Sequence, residues 1–216
     1  LVTVGQDGPG SPRRLGESLG ALAPTLHWFT RDGKAVVVGT DPIDDKGYGD
    51  VRPRGLALIP LDGSAPTRFA IDSAWTFDDL VRADPRTLWQ PDAASITALM
   101  TEVATGERGA VRFDTRSGKP TVLWKGRARL ANAFGDTTHQ AIFALYQDIR
   151  TPPNVYRFPA NFASKDRVSH ADDRLDAVAV GSADVFETVI PGYNGAITKA
   201  RTAVLLPPGA KRGDRL

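Results

Sequence analysis

The chain has 216 residues, 27 Lys and Arg against 25 Asp and Glu, and a net charge of +2. It has no cysteine, which excludes disulfides and thiolate metal centres. No apolar run nears the roughly 18 residues of a membrane span, no signal peptide is visible, and charges alternate in sign, as in Arg82-Ala83-Asp84, so neither a membrane nor a nucleic acid is expected as a partner.

Short apolar runs rich in Val, Leu, Phe and Trp, punctuated by 16 Pro and 21 Gly, predict many short strands joined by turns. Leu1 to Val4 form the first, followed by a turn at Asp7-Gly8. Leu15 to Leu22 and Ser73 to Arg82 are the stretches that could make a helical turn or two. Leu26 to Phe29 and Ala35 to Gly39 flank a turn at Arg31-Asp32-Gly33-Lys34, and Leu56 to Pro60 lead into Leu61-Asp62-Gly63-Ser64. Thr87 to Trp89 and Ser95 to Val103 make the next pair. Gly109 to Asp114 and Thr121 to Trp124 flank Arg116-Ser117-Gly118-Lys119. Ala131 to Phe134, Gln140 to Gln147 and Asn154 to Phe158 follow. Asp184 to Ile190 and Ala196 to Leu206 then read as a hairpin about Asn194-Gly195, a pair suited to the positive φ of a tight reversal.

The strands recur as a unit beginning near Leu26, Thr87 and Ala131, a spacing of roughly 40–60 residues that matches propeller blades with insertions. A lone four-stranded blade leaves its faces open, and radial stacking covers them. The expected fold is therefore all-β: a partial β-propeller of about three blades with a partial blade at the N-terminus, then a separate hairpin. Leu1 to Leu15 read as the last two strands of a blade, and Leu1 in place of Met reads as a processed or cut N-terminus. Trp28, Trp75, Trp89, Trp124 and Phe134 are expected in the core between blades.

Three segments resemble the prolyl oligopeptidase family of serine peptidases. Leu26 to Lys34 is similar to the family's Trp-Ser-Pro-Asp-Gly-Lys blade motif, with Thr30-Arg31 in place of Ser-Pro. Thr151-Pro152-Pro153-Asn154-Val155-Tyr156, with Arg167-Val168-Ser169-His170-Ala171-Asp172 after it, resembles the motif closing the last blade. Gly192 to Gly195 and Ala203 to Gly209 resemble the linking hairpin and the Leu-Pro-Pro-Gly run before the hydrolase domain. The resemblance implies propeller blades over residues 1–178 and, over 179–216, a hairpin that begins an α/β-hydrolase domain. It implies a non-catalytic propeller portion that gates and shapes the access of short peptides to a hydrolase site outside this chain. Its expected partners are the parent enzyme's peptide substrate and a hydrolase domain or companion fragment, with self-association through exposed faces. The parent is expected to be a hydrolase; a stand-alone propeller binding module is the alternative, and a propeller enzyme with a metal in its channel is a third.

No catalytic residue, cofactor or metal site is assigned. The Gly-x-Ser-x-Gly nucleophile elbow is missing, and the serines of Gly10-Ser11-Pro12, Gly63-Ser64-Ala65, Ser117-Gly118 and Gly181-Ser182-Ala183 read as turn residues. His27, His139 and His170 are read as structural. Asp41-Pro42-Ile43-Asp44-Asp45 lacks the further oxygen ligands of a Ca²⁺ loop and is read as a solvated acidic loop. No Glu-Glu pair of the kind that holds a substrate amino terminus in dipeptide-trimming members is found, and no substrate-binding residue is named.

Overall fold

The computed structural model describes residues 2–3, 13–43, 52–171, 174, 178, 181–191 and 197–210. Within them the protein is all-β, built of antiparallel sheets. β1 (Val2–Thr3) pairs with β2 (Arg13–Arg14). A 3-10 turn, Glu17–Leu19, then seats Leu19 in the core. The first four-stranded sheet runs β3 (Leu22–Phe29), β4 (Ala35–Ile43), β5 (Arg52–Pro60), β6 (Thr67–Phe69). The middle sheet runs β7 (Trp75–Leu80), β8 (Ser95–Glu102), β9 (Arg108–Asp114), β10 (Pro120–Gly126). The third runs β11 (Arg129–Gly135), β12 (Ala141–Gln147), β13 (Asn154–Pro159), β14 (Asp166–Arg167). β15 (Ser182–Pro191) pairs with β16 (Ile197–Leu206). In each four-stranded sheet every strand pairs with its neighbour in sequence, and the first strand carries a register shift, between Ala23 and His27, Phe77 and Asp79, and Ala131 and Phe134. Such irregularities bend a strand and increase its twist.

Aspartates close the reversals by capping the turn with their own carboxylates. Asp32 accepts from Lys34 N at 3.0 Å and from the Thr30 hydroxyl at 2.8 Å. Asp62 accepts from Ser64 N, and Asp114 from Ser117 N at 2.7 Å. Gly118 closes the latter turn at φ 69, and a Cβ there would collide with the Arg68 carbonyl of the first sheet.

The core is shared between sheets. Trp28, Val37, Leu56 and Phe69 of the first sheet meet Ile96, Met100, Val111 and Phe113 of the middle one. The alternate residues Val36, Val38, Ala57 and Ile59 turn to the other side, where Leu15 and Leu19 cover them. The middle sheet's opposite face presents Leu99 and Ala110 to Ile142, Tyr146, Tyr156 and Phe158 of the third sheet. This is the period-2 alternation of a strand whose two faces are both buried.

Residues 81–90 hold the three sheets together. Phe29 N donates to Arg86 O and Leu88 N to Phe29 O, tying this segment to β3. Arg82 N donates to Ala133 O and Gly135 N to Arg82 O, tying it to β11. Leu88 is buried in the first interface and Trp89 in the second, where Trp89 Nε1 donates to Asp136 O at 3.0 Å. Gln90 reaches back to the first sheet, accepting from Arg31 N at 2.8 Å.

Several expectations are corrected here. Thr87 to Trp89 do not open a second unit: Thr87 bridges Phe29 of β3 and Leu88 bridges Arg82 within the same segment, while Leu88 and Trp89 are buried in two different interfaces. The second unit opens at Trp75, within the stretch read as potentially helical. Its Asp78 and Asp79 break the apolar alternation but point to polar partners, Asp78 to Thr101 and Arg108, Asp79 to Arg82. Leu15 to Leu22 shorten to the Glu17–Leu19 turn. Trp28 and Trp89 are buried and Trp75 and Trp124 pack on the core, but Phe134 is 41% exposed, with the Arg82 guanidinium 5.4 Å over its ring. Ser182 opens β15 rather than a turn. The turns read at Asp7-Gly8 and Asn194-Gly195 lie outside the described residues, as do Asp44, Asp45 and the tail 211–216.

Candidate functional site

At the end of the sheets that carries the β8–β9 turn, the β10–β11 link and the β12–β13 turn, β15 borders a cleft of about 620 Å³. That is within the range of small-ligand sites. Arg108, Arg127 and Arg129 line it together with Ile149, Val185 and Phe186. Arg108 opens β9 and Arg129 opens β11, so neighbouring sheets supply the cations. β15 and the β12–β13 turn supply the large apolar side chains, each about half exposed.

The arginines differ in how far their charge is already matched. Arg108 Nη1 donates to Asp78 Oδ2 at 2.6 Å and to the Thr101 hydroxyl. Arg127 Nε stands 3.7 Å from Glu107, with most of its side chain exposed. Glu107 and Glu102 are engaged by Lys125 Nζ at 3.2 and 2.7 Å. The Lys125 hydrogen bond, with that of Thr105, holds the Glu102 carboxyl below its ordinary range, and Glu102 raises Lys125 in return. Arg129 has no carboxylate partner among the described residues. Glu187, which also lines the cleft, is held by Lys199 at 2.7 Å. The cleft is thus lined both by cations from the sheet ends and by apolar side chains of β15 and the β12–β13 turn. The described residues that line it include Glu187 but no histidine.

A second cleft, about 410 Å³, lies at the opposite end between the first and middle sheets, lined by Thr30, Asp32, Lys34, Asp62, Gln90 and Thr115. Gln90 is occupied there, accepting from Arg31 N and donating to Ser95 O. Asp32 is lowered by the Lys34 backbone N–H and then by the Thr30 hydroxyl. These groups serve the interface.

The residues singled out in the sequence do not converge. His27 is exposed on β3 and His170 is exposed after β14. His139 sits at φ 61 in the β11–β12 turn, its ring 6.3 Å from that of Trp89 and its Nδ1 buried without a hydrogen-bond partner. The Ser64 and Ser117 hydroxyls donate to Asp62 and Asp114 at 2.6 and 2.7 Å. Asp41 lies 3.6 Å from Arg68. Among the described residues no group of three or more metal-ligating side chains gathers. The arginine cleft was missed in the sequence because Arg108, Arg127 and Arg129 read there as part of a solvated alternation of charge. The dense run Lys125-Gly126-Arg127-Ala128-Arg129 was its visible trace.

No protein-family model and no curated protein sequence matches the chain. Among solved structures, a variant of the AtxE2 isopeptidase with Astexin3-dC4 bound matches with a TM-score of 0.63 and 14% identity, over 96% of this chain and 30% of that one. The apo AtxE2 isopeptidase gives 0.61 and 14%, over 100% and 31%. One of two prolyl endopeptidases described for their inter-domain dynamics gives 0.47 and 12%, over 86% and 31%, too low to bear on the fold. The chain spans less than a third of the length of the AtxE2 structures. What it shares with them is a propeller-like, all-β fold.

Proposed function

We propose that this chain is the non-catalytic propeller portion of a serine peptidase resembling the prolyl oligopeptidase family. On this reading the three four-stranded sheets are blades, β1 and β2 belong to a partial one, and β15 and β16 form the hairpin into an α/β-hydrolase domain. The propeller shapes the path of short peptides to a hydrolase site outside the chain. One observation carries the reading: consecutive sheets stacked face to face match an isopeptidase over 96% of this chain, yet only 30% of that protein. The outer face of the third sheet supports it, since Leu145 is 37% exposed on a strand otherwise built for burial. We take a further sheet of the same parent protein as its cover.

Labelling with a serine-directed fluorophosphonate tests the function. The 216-residue chain is expected to take no label, and the gene product containing it to take label at one serine outside the chain. An unlabelled gene product would return the protein to the class of binding modules. Light scattering tests the cover: the isolated chain is expected to associate, and a monodisperse monomer at high concentration would rule the open face out as an interface.

A further inference from the structure

The chemistry of the cleft bordered by β15 narrows what it takes. Its three arginines come from the ends of adjacent sheets, but Arg108 is matched by Asp78, Arg127 only loosely by Glu107, and Arg129 by no described carboxylate. The nearby acids are already occupied, Glu102 and Glu107 by Lys125 and Glu187 by Lys199. The surplus positive charge is therefore small and sits at Arg127 and Arg129, and a guanidinium offers a planar fork that suits a carboxylate. Ile149, Val185 and Phe186 line the same cleft with apolar surface, which a polyanion would leave unused. We infer that this cleft binds a carboxylate flanked by an apolar side chain, as on a short peptide, with Arg127 and Arg129 taking the carboxylate and Val185 and Phe186 the side chain. The inference names the substrate feature for the function proposed above and rests on that reading.

A peptide offers such a carboxylate at its C-terminus or on Asp or Glu. Calorimetric titration of the full chain with acetyl-Ala-Leu-Leu as free acid, the same peptide as amide, and acetyl-Ala-Leu-Glu-Leu amide separates the two sources. At least one carboxylate peptide is expected to bind about tenfold more tightly than the simple amide, the strength of one charge-assisted hydrogen bond. The gap should shrink with salt, close in Arg129→Gln and persist in part in Arg129→Lys. Arg129 is exposed, so circular dichroism of Arg129→Gln should match that of the parent chain. Equal binding of acid and amide, no binding of any of the three peptides, or a gap that survives Arg129→Gln would overturn the inference. None of these outcomes depends on fluorophosphonate labelling, so the failure of this inference and of the peptidase reading are distinguishable.

Discussion

The middle and third sheets have the same strand order and first three strands of nearly the same length, yet their second strands are buried differently. In β8 the residues from Ser95 to Met100 are all buried, because another sheet lies on each side. In β12 Ile142, Ala144 and Tyr146 are buried while Phe143 is partly exposed and Leu145 exposed, because one face is open. The outward residues of β12 are no less apolar than those of β8, which include Thr97. Burial along these strands is set by neighbouring sheets, and the residue pattern alone does not reveal which face finds a neighbour.

Breaking the interface between these two sheets should have the largest effect. Trp89 is fully buried there, and Trp89→Ala is expected to lower stability in urea unfolding by about 3–5 kcal/mol. A pair of identical truncations sharpens the comparison. Leu99→Ala, at a residue 3% exposed, should cost about 2–5 kcal/mol, whereas Leu145→Ala, at one 37% exposed, should cost well under half of that. Similar losses would mean that the third sheet's outer face is covered in solution.

Thr97 offers a change of the opposite sign. It is 1% exposed on β8 and its hydroxyl has no hydrogen-bond partner, so Thr97→Val is expected to raise stability by about 1 kcal/mol. A loss of stability would show that the hydroxyl is satisfied within the interface. The smallest effect belongs to the turns common to both sheets. Backbone and side-chain hydrogen bonds from Ser117 lower the Asp114 carboxyl in the β9–β10 turn. In the β11–β12 turn burial raises Asp136, but the Thr138 hydroxyl and the Ala141 and Gln140 backbone N–H groups outweigh it, leaving Asp136 below its ordinary value. Carboxyls depressed by folding add stability that is complete above their unfolded pKa and lost as pH falls through the folded one. Stability should therefore decline below about pH 4, and less steeply in Asp114→Asn and Asp136→Asn. An unchanged acid profile in both variants would remove these turns from the account.

Much of this architecture was legible in the sequence. Runs such as Ser95 to Val103 and Gln140 to Gln147 became β8 and β12 with small shifts at their ends, and Asp-Gly turns marked the reversals around Asp32 and Asp62. β7 was missed because Asp78 and Asp79 hide its apolar face, and the register shift between Phe77 and Asp79 removes the period that a strand is recognised by. Phe134 was misplaced for a related reason: the register shift between Ala131 and Phe134 in β11 disturbs the alternation, and Phe134 lies under Arg82 rather than in the core. Of the cleft only the basic run Lys125 to Arg129 was visible, since the rest of it comes from the ends of separate sheets and from β15, far apart in the chain.

The segment at residues 81–90 has a consequence for how the molecule comes apart. In arrays of stacked repeats, stability approximates a sum of units and their nearest-neighbour interfaces, and the ends can fray alone. Here one loop is bonded to three successive sheets, so the first and third cannot loosen separately while it stays in place. The three sheets should melt as a single cooperative unit. Arg86 is exposed within the loop, and Pro85 before it limits alternative conformations. Cleavage by trypsin after Arg86 is therefore expected to split one calorimetric transition into two without removing any strand; a single unchanged transition in the nicked protein would show that cooperativity resides in the cores alone.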